Sequence, residues 1–276
     1  MTQRVPKTLS VTRTEQVGRD LVRVFLGGSD LVELPDLTYT DHYVKLLYPP
    51  EGADYTWPFD PDEIRESRPR AEWPVTRTYT IRSLDRAAGE LAIDFVVHGD
   101  EGLAGPWAAR AKPGDVISFF GPGGGYAPAA DADVHLLVGD ESAAPAIAAA
   151  LDALPDGSRA LVFIETSDPD STVPLAEGPH ITTTTVHRRG SEYGAPLAAA
   201  VRAAPWPEGN VHAFVHGNAG MIKDLRRYLF VEREVPRDQV SISGYWRSGH
   251  NEDAWQASKR EFVAQMEADE AALTEA

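Results

Sequence analysis

Six stretches of the chain carry residues whose types and spacing could do chemistry. The first is Arg77-Thr78-Tyr79-Thr80-Ile81-Arg82. In an extended strand the side chains alternate, which puts Arg77, Tyr79 and Ile81 on one face and Thr78, Thr80 and Arg82 on the other. An aromatic ring can stack on an isoalloxazine, and a hydroxyl at short range can bond a flavin's reactive edge and tune its electronics. A guanidinium can hold phosphate or the negative charge of a reduced ring. The same six residues also suit an ordinary strand with exposed arginines. The second stretch, Val97 to Ala108, reads as a strand end, a glycine-rich loop and the start of a helix of small residues. Small residues let a backbone approach a pyrophosphate, whose charge is favourable at a helix N-terminus. A plain turn over a buried Trp107 is the alternative.

The third stretch, Gly121-Pro122-Gly123-Gly124-Gly125-Tyr126, is either a hinge or room for a cofactor backbone. The fourth, Leu137 to Ala146, has a strand–loop–helix pattern without the G-x-G-x-x-G fingerprint. Asp140 and Glu141 are awkward beside a phosphate there, and Ser142 is a good helix cap. The fifth, Phe214 to Met221, has the same pattern, with small residues that would let a nicotinamide lie flat. The sixth, Ser243 to His250, sets Tyr245, Trp246 and Arg247 between glycines, where they could cover a flavin, bind an anion or simply pack at a strand end.

The elements that must position these residues change character near residue 130. Before it come short β-prone runs bounded by Gly, Pro and Asp: Leu21–Leu26, Tyr43–Tyr48, Thr78–Ile81, Leu91–Val97 and Val116–Phe120. Strands so spaced, without long helices between them, predict an antiparallel barrel. A Pro-, Trp- and charge-rich insert at about 51–74 reads as a surface loop whose aromatics pack on something. After residue 130, strands at Val134–Val138, Ala160–Ile164, Ile181–Val186, Val211–His216 and Val240–Ile242 alternate with helices at Ala143–Leu154, Pro196–Ala203 and Gly220–Arg233, followed by a helix-prone tail from Trp255 to Ala276. That alternation predicts βαβ units and a mostly parallel sheet. The expected domains are 1–129, a barrel, and 130–276, an α/β unit with a helical tail.

Composition narrows the function. The 276 residues hold 42 acidic and 26 basic side chains, a net charge of −16, and no cysteine. The negative charge argues against nucleic acid and anionic lipid as partners. The lack of cysteine excludes disulfides, Cys-ligated zinc, iron–sulfur clusters and thiol catalysis. No apolar run approaches the ~20 residues needed to cross a bilayer, so no membrane insertion is expected. The N-terminus MTQRVPKTLSV lacks the apolar core of a signal peptide, so a cytoplasmic location is expected.

Taken in order, the six stretches resemble the siderophore-interacting protein family, flavin-dependent ferric-siderophore reductases related to ferredoxin reductases. Asp41 to Leu47 looks like that family's first flavin-side strand, and Arg77 to Arg82 like its R-x-Y-T motif. His98, Gly99, Gly102, Ala104, Trp107 and Ala108 match its dinucleotide segment. Gly139-Asp140-Glu141-Ser142-Ala143 matches its G-D-E-[ST]-A loop, and Gly244 to Gly249 its G-Y-W-R-x-G signature. Two positions depart from the pattern: Leu103 stands where proline is frequent, and Gly217-Asn218-Ala219 replaces G-E-A. The cysteine-bearing iron–sulfur branch is excluded.

The resemblance implies a flavin-binding barrel followed by an NAD(P)H-binding α/β domain, a ferredoxin-reductase-like fold. It implies FAD as cofactor and reduction of ferric siderophores, with hydride passing from NAD(P)H to FAD and single electrons then passing to Fe(III). Tyr79 would stack on the flavin, Thr80 would contact its reactive edge, and Arg77 would bind phosphate or ring oxygens. His98, Gly99, Gly102, Ala104 and Trp107 would hold the dinucleotide, and Asp140, Ser142 and Ala143 would line the nicotinamide-nucleotide side. Lys45 and Arg247 would form a basic mouth for the ferric siderophore, although Lys45 also suits an outward-facing strand lysine. No protein metal site is expected, and a monomer is. The carboxylates at Glu165, Asp168 and Asp170 favour NADH, since they repel a 2′-phosphate; Arg188 and Arg189, after the next strand, are the residues that could reverse this. The alternatives are a general flavin reductase with another acceptor and a flavin-bearing siderophore-binding protein without turnover.

Overall fold

The computed structural model describes residues 5–97, 99 and 102–274. The chain forms two compact units, Met1–Gly125 and Tyr126–Ala276; the change of pattern that the sequence shows near residue 130 thus falls a few residues earlier in the structure.

The first unit is a closed antiparallel barrel built from β1 (Lys7–Gly18), β2 (Leu21–Gly27), β3 (Tyr43–Tyr48), β4 (Val75–Asp85), β5 (Glu90–Val96) and β6 (Val116–Gly123). Its strands run in the order β1-β2-β5-β4-β3-β6. Closure leaves no sheet edge open for stray pairing. Alternate residues of each strand point inward, and Val24, Leu26, Val44, Leu46, Leu91, Ile93, Phe95, Ile117 and Phe119 fill the centre, all fully buried. Each such side chain contributes about 1.5–3 kcal/mol by leaving water. β1 is not among the strands that the sequence predicts. Only Leu9 and Val11 of it are buried, and its second half, Thr12 to Gln16, is exposed and polar.

The insert at 51–74 is more than a loop. It carries a short helix, α1 (Pro61–Ser67), capped by Asp60, whose carboxylate accepts the N–H groups of Asp62 and Glu63. A second short helix, α2 (Ala104–Arg110), follows the glycine-rich loop.

The second unit is a five-stranded sheet of β7 (Val134–Asp140), β8 (Ala160–Thr166), β9 (Ile181–His187), β10 (Val211–Asn218) and β11 (Val240–Trp246). The order is β11-β10-β7-β8-β9, and every pairing is parallel. All seven residues of the central β7 are buried, as expected for a parallel strand covered on both faces. The helices are α3 (Ala144–Ala153), α4 (Ala195–Ala203), α5 (Ala219–Arg227) and α6 (Glu252–Thr274). The expected helix from Gly220 to Arg233 is helical without a gap but changes character: α5 ends at Arg227 and a π-helical turn, Tyr228–Glu232, continues it. α6 is anchored at one end by the buried Trp255 and at the other by Glu270, which accepts hydrogen bonds from Arg226 and Arg237.

The chain starts in the middle of this sheet, builds outward through β8 and β9, then returns to the other side of β7 for β10 and β11. Strand order therefore reverses between β7 and β10. In open α/β sheets, ligands bind beyond the carboxyl ends of the strands at such a reversal.

Candidate functional site

In the barrel, β3 and β4 pair with Leu46 opposite Arg77, Val44 opposite Tyr79, Lys45 opposite Thr78, and Tyr43 opposite Thr80. Opposed residues share a face, so Arg77 and Tyr79 lie on the side of the fully buried Val44 and Leu46. Lys45 lies on the other face with Thr78 and Thr80. The strict alternation expected for this strand breaks after Thr80. The β4–β5 register slips between Ile81 and Ser83, leaving Arg82 as the extra residue, and Thr80 and Ile81 are both buried.

Around Arg77 and Tyr79 the barrel assembles an aromatic wall. The Tyr79 ring lies 4.5 Å from Phe95, and Phe95 lies 5.5 Å from Trp107 of α2. Trp107 meets Tyr48 at 6.1 Å and Trp57 at 6.4 Å. Trp57 comes from the insert, and its indole N–H donates to the Leu47 carbonyl at 2.6 Å; this is what the insert's aromatics pack on. Neither Tyr48 nor Trp57 lies in any of the six stretches that the sequence marks for chemistry.

Tyr48 tests whether this wall suits a flavin nucleotide. Its hydroxyl is buried and has no hydrogen-bond partner among the described residues. Burial holds its pKa well above the usual phenol range; the nearby Tyr79 adds to the rise and the Arg77 guanidinium opposes it. The group is thus a neutral donor set among Arg77 and Tyr79. An orphaned buried hydroxyl is costly unless a ligand atom completes it, and an anionic, aromatic ligand fits this set. In the loop that precedes α2, Gly99 and Gly102 both take left-handed backbone, with φ of 62° and 82°, and Ala104, which opens the helix, is buried. His98, also expected in this segment, lies outside the described residues.

In the second unit, one carboxylate organises the switch point. Asp140 ends β7 and is buried. Its Oδ1 accepts the N–H and the hydroxyl of Ser142, the former at 3.0 Å. Its Oδ2 accepts the Asn218 N–H at 2.9 Å and the Trp246 indole N–H at 2.8 Å. Burial raises its pKa, with the Ser142 bond opposing. Gly217, with φ 135°, passes so close that a Cβ there would meet Asp140 Oδ2 at 2.7 Å. Gly139 is equally confined, since its Cβ would meet that of Ala143 at 2.5 Å. Ser142 does not cap α3, as its type and position suggest; the N-cap is Ala143, without a side-chain cap bond. The Ser142 hydroxyl is drawn to Asp140 instead. Asn218, in the loop that departs from G-E-A, does cap its helix, accepting the Gly220 N–H at 2.8 Å.

The adjoining residue, Glu141, belongs to a buried cluster that the sequence did not reveal. Arg188 donates to Glu141 at 3.1 and 3.2 Å and to Glu165 at 3.0 Å. Glu165 also accepts the Gly194 N–H at 3.0 Å and is fully buried. The Tyr193 ring lies 4.2 Å from the Arg188 guanidinium and 4.7 Å from Trp246. Glu165 therefore faces the core and is not on the surface as a ribose reader, which removes the leading carboxylate from the argument for NADH.

Lys45 is exposed within the first unit. Arg247, within the second, is half-buried with its guanidinium 5.2 Å over the Phe262 ring of α6. Among the described residues no group of three or more His, Cys, Asp or Glu is placed to hold a metal ion, and no helix is long and apolar enough to cross a membrane.

Two family models match the chain. Residues 10–126 match the siderophore-interacting FAD-binding domain, and residues 132–249 match the siderophore-interacting protein model. A Mycobacterium tuberculosis protein named as uncharacterized is 41% identical, covering 94% of this chain and 95% of its own length. The ferric vibriobactin reductase ViuB of Vibrio cholerae is 32% identical over 91% of this chain and 92% of its own. Among solved structures, the siderophore-interacting protein SipS from Aeromonas hydrophila superposes with a TM-score of 0.80 at 28% identity, covering 95% of this chain and 99% of that one. At the level of fold alone, a ferredoxin reductase of carbazole 1,9a-dioxygenase matches with a TM-score of 0.62 at 17% identity, covering 88% of this chain and 70% of that one.

Proposed function

The chain belongs to the siderophore-interacting protein family, and from that premise we propose that it reduces ferric siderophores, drawing electrons from a reduced nicotinamide nucleotide through FAD. The observation that carries the reading is the part of the barrel wall where Arg77, Tyr79 and the orphaned Tyr48 hydroxyl converge. It lies in a chain whose relatives over nine-tenths of its length include a ferric vibriobactin reductase. Bound FAD supplies the link between a two-electron donor and a one-electron acceptor, which no ordinary side chain provides.

The chain's own residues bind and orient. Arg77 offers a fixed fork of donors for phosphate or ring oxygens. Tyr79, braced by Phe95, offers a face for stacking, and Thr80 a hydroxyl on the strand's opposite side. His98, Gly99, Gly102, Ala104 and Trp107 form the dinucleotide segment. In the second unit, Asp140 spends its carboxylate on Ser142, Asn218 and Trp246, so it shapes the nucleotide loop rather than touching the ligand; Ser142 and Ala143 line that loop. Lys45 and Arg247 supply positive charge for an anionic or oxygen-rich ferric complex, in a chain whose net charge of −16 would otherwise repel it. Iron arrives already ligated, as substrate. We take the protein to act as a monomer in the cytoplasm.

The test is anaerobic stopped-flow. Reduced nicotinamide nucleotide should bleach the bound flavin, and a ferric siderophore should restore its colour with release of Fe(II). Bleaching that no ferric siderophore reverses, while free flavin or ferric citrate does, would favour a general flavin reductase. A flavin that never bleaches would favour a binding protein without turnover.

A further inference from the structure

Two arginines follow β9, and the structure gives them different surroundings. The last registered pair of β8 and β9 is Thr166 with His187. The ladder then continues for two more residues. The Arg188 N–H donates to the Thr166 carbonyl at 2.9 Å and the Arg189 N–H to the Ser167 carbonyl at 3.0 Å. Arg188 turns into the core, where Glu141 and Glu165 neutralise it. Arg189 turns outward. It is exposed, and among the described residues its guanidinium has no carboxylate, hydrogen-bond or aromatic partner. Its backbone sits at φ 49°, a left-handed conformation uncommon for a residue with a side chain, and the neighbouring ladder bond holds it there.

The position has a meaning for a nucleotide. A dinucleotide that crosses the carboxyl edge of such a sheet extends from the β7–β10 switch point toward the end of the second strand, where its adenosine ribose is read. That strand is β8, and Arg189 stands beside Ser167, one residue past its end. Of the carboxylates in this segment, Glu165 is buried against Arg188, and Asp168 closes its own turn by accepting the Asp170 N–H at 2.9 Å. Asp170 and Glu192 are exposed nearby in the sequence, and the cation presented at this edge is Arg189. Resting on the reading that a nicotinamide nucleotide binds here, we propose that Arg189 recognises the 2′-phosphate of NADPH, so that the chain selects NADPH over NADH. A guanidinium suits a phosphate dianion, which it can grip through two parallel N–H donors.

The experiment is calorimetric titration of the full-length, flavin-loaded protein with 2′,5′-ADP and with 5′-AMP. These fragments report the 2′-phosphate without turnover. The expected result is 2′,5′-ADP binding at least about tenfold more tightly, the size of a charge-assisted contact. Arg189→Ala should bring the two fragments to within about threefold of each other while leaving 5′-AMP unchanged, since only the contact to the extra phosphate is removed. Arg189→Gly accepts the left-handed backbone without strain and should do the same, which separates lost recognition from a distorted turn. Arg189→Lys should keep part of the preference. Equal binding of the two fragments by the unmodified protein, or a preference that survives in Arg189→Gly, overturns the inference and leaves nucleotide binding intact. If neither fragment binds and neither NADH nor NADPH bleaches the flavin, the nucleotide reading falls and this inference falls with it.

Discussion

The indole N–H of Trp246 donates to Asp140 Oδ2 at 2.8 Å, tying the last residue of β11 to the last residue of β7 across the intervening β10. β10 joins the same oxygen through the Asn218 N–H. One buried carboxylate thus gathers the ends of three adjacent parallel strands where the loop before α3 begins. Its other oxygen takes both donors of Ser142, so every bond it makes is to the protein.

Asp140→Asn tests this clamp with almost no change in volume. An amide has one acceptor oxygen, and its NH2 must then face donors it cannot satisfy. A cost of about 2–3 kcal/mol follows, read as a lower melting temperature of the second unit. Nucleotide affinity should fall with it, while flavin content, a property of the first unit, stays normal. Melting indistinguishable from the unmodified protein would show that the loop does not depend on the clamp.

The Glu141–Arg188–Glu165 cluster yields a sharper contrast. Arg188→Met leaves two buried carboxylates without a counter-ion, and breaking a buried pair from one side costs about 3–5 kcal/mol. Adding Glu141→Gln and Glu165→Gln to that variant removes the stranded charge and should recover most of the loss. Thermal unfolding of the single and triple variants decides it: a triple variant less stable than Arg188→Met would reverse the argument.

Trp57 connects the insert to the barrel. Trp57→Ala removes its bond to the Leu47 carbonyl and its contacts with Tyr48 and Trp107. The expected loss is about 3 kcal/mol, at the low end for a large aromatic because the ring is only half-buried. Because Trp107 and Tyr48 border Arg77 and Tyr79, the purified variant should also carry less flavin, measured by its absorbance relative to protein. Full flavin occupancy would assign the insert a purely structural part.

How much of this was legible beforehand depended on whether the signal was local. Strands with alternating or continuous apolar residues, such as β3 and β7, declare themselves, and so does the change from barrel to alternating sheet. β1 did not, because Thr12 to Gln16 is polar and faces water. The alternation in β4 offers Arg77 and Tyr79 as candidates and suits an ordinary strand as well. Tyr48 and Trp57 lie outside every stretch marked for chemistry, and Arg188, read as a residue that could turn the preference to NADPH, is buried: each acts through partners distant in sequence, Trp57 meeting Trp107 and Arg188 meeting Glu141 and Glu165. Glu165 misled for the same reason, as a carboxylate at a strand end gives no sign of whether it faces a ribose or a buried guanidinium.

Lys45 and Arg247 carry the expectation about the substrate. Lys45→Ala and Arg247→Ala should each slow reoxidation of the reduced flavin by an anionic ferric siderophore roughly five- to tenfold and weaken its dependence on salt, because local positive charge speeds such encounters. Flavin content and the rate of bleaching by the nucleotide should not move. Arg247→Lys keeps the charge but forfeits the guanidinium over the Phe262 ring, and should fall between the two. Reoxidation rates unchanged in both alanine variants would remove these residues from the substrate site.

His216 makes the stability of the second unit depend on pH. The ring is buried at the end of β10, stacked on Phe214 at 4.0 Å, with Nε2 3.0 Å from the Ser241 hydroxyl and Nδ1 without a partner among the described residues. Burial, helped by the nearby Lys259 ammonium, lowers its pKa to about 3. In the unfolded chain it titrates near 6.5. Above that pH the ring is neutral in both states and favours neither. Below it the unfolded chain binds a proton that the folded ring refuses, so stability should fall by about 1.4 kcal/mol per pH unit from roughly 6 down toward 3. His135 and His212 are also lowered, chiefly by burial, and add to the slope over the upper part of that range. His216→Phe keeps the stack on Phe214, gives up the bond to Ser241 and cannot be protonated. It should be less stable than the unmodified protein at pH 7.5 yet lose less on acidification. Urea unfolding followed at pH 7.5, 6.0 and 5.0 measures the difference, and parallel pH profiles for the two proteins would show that His216 does not set the slope.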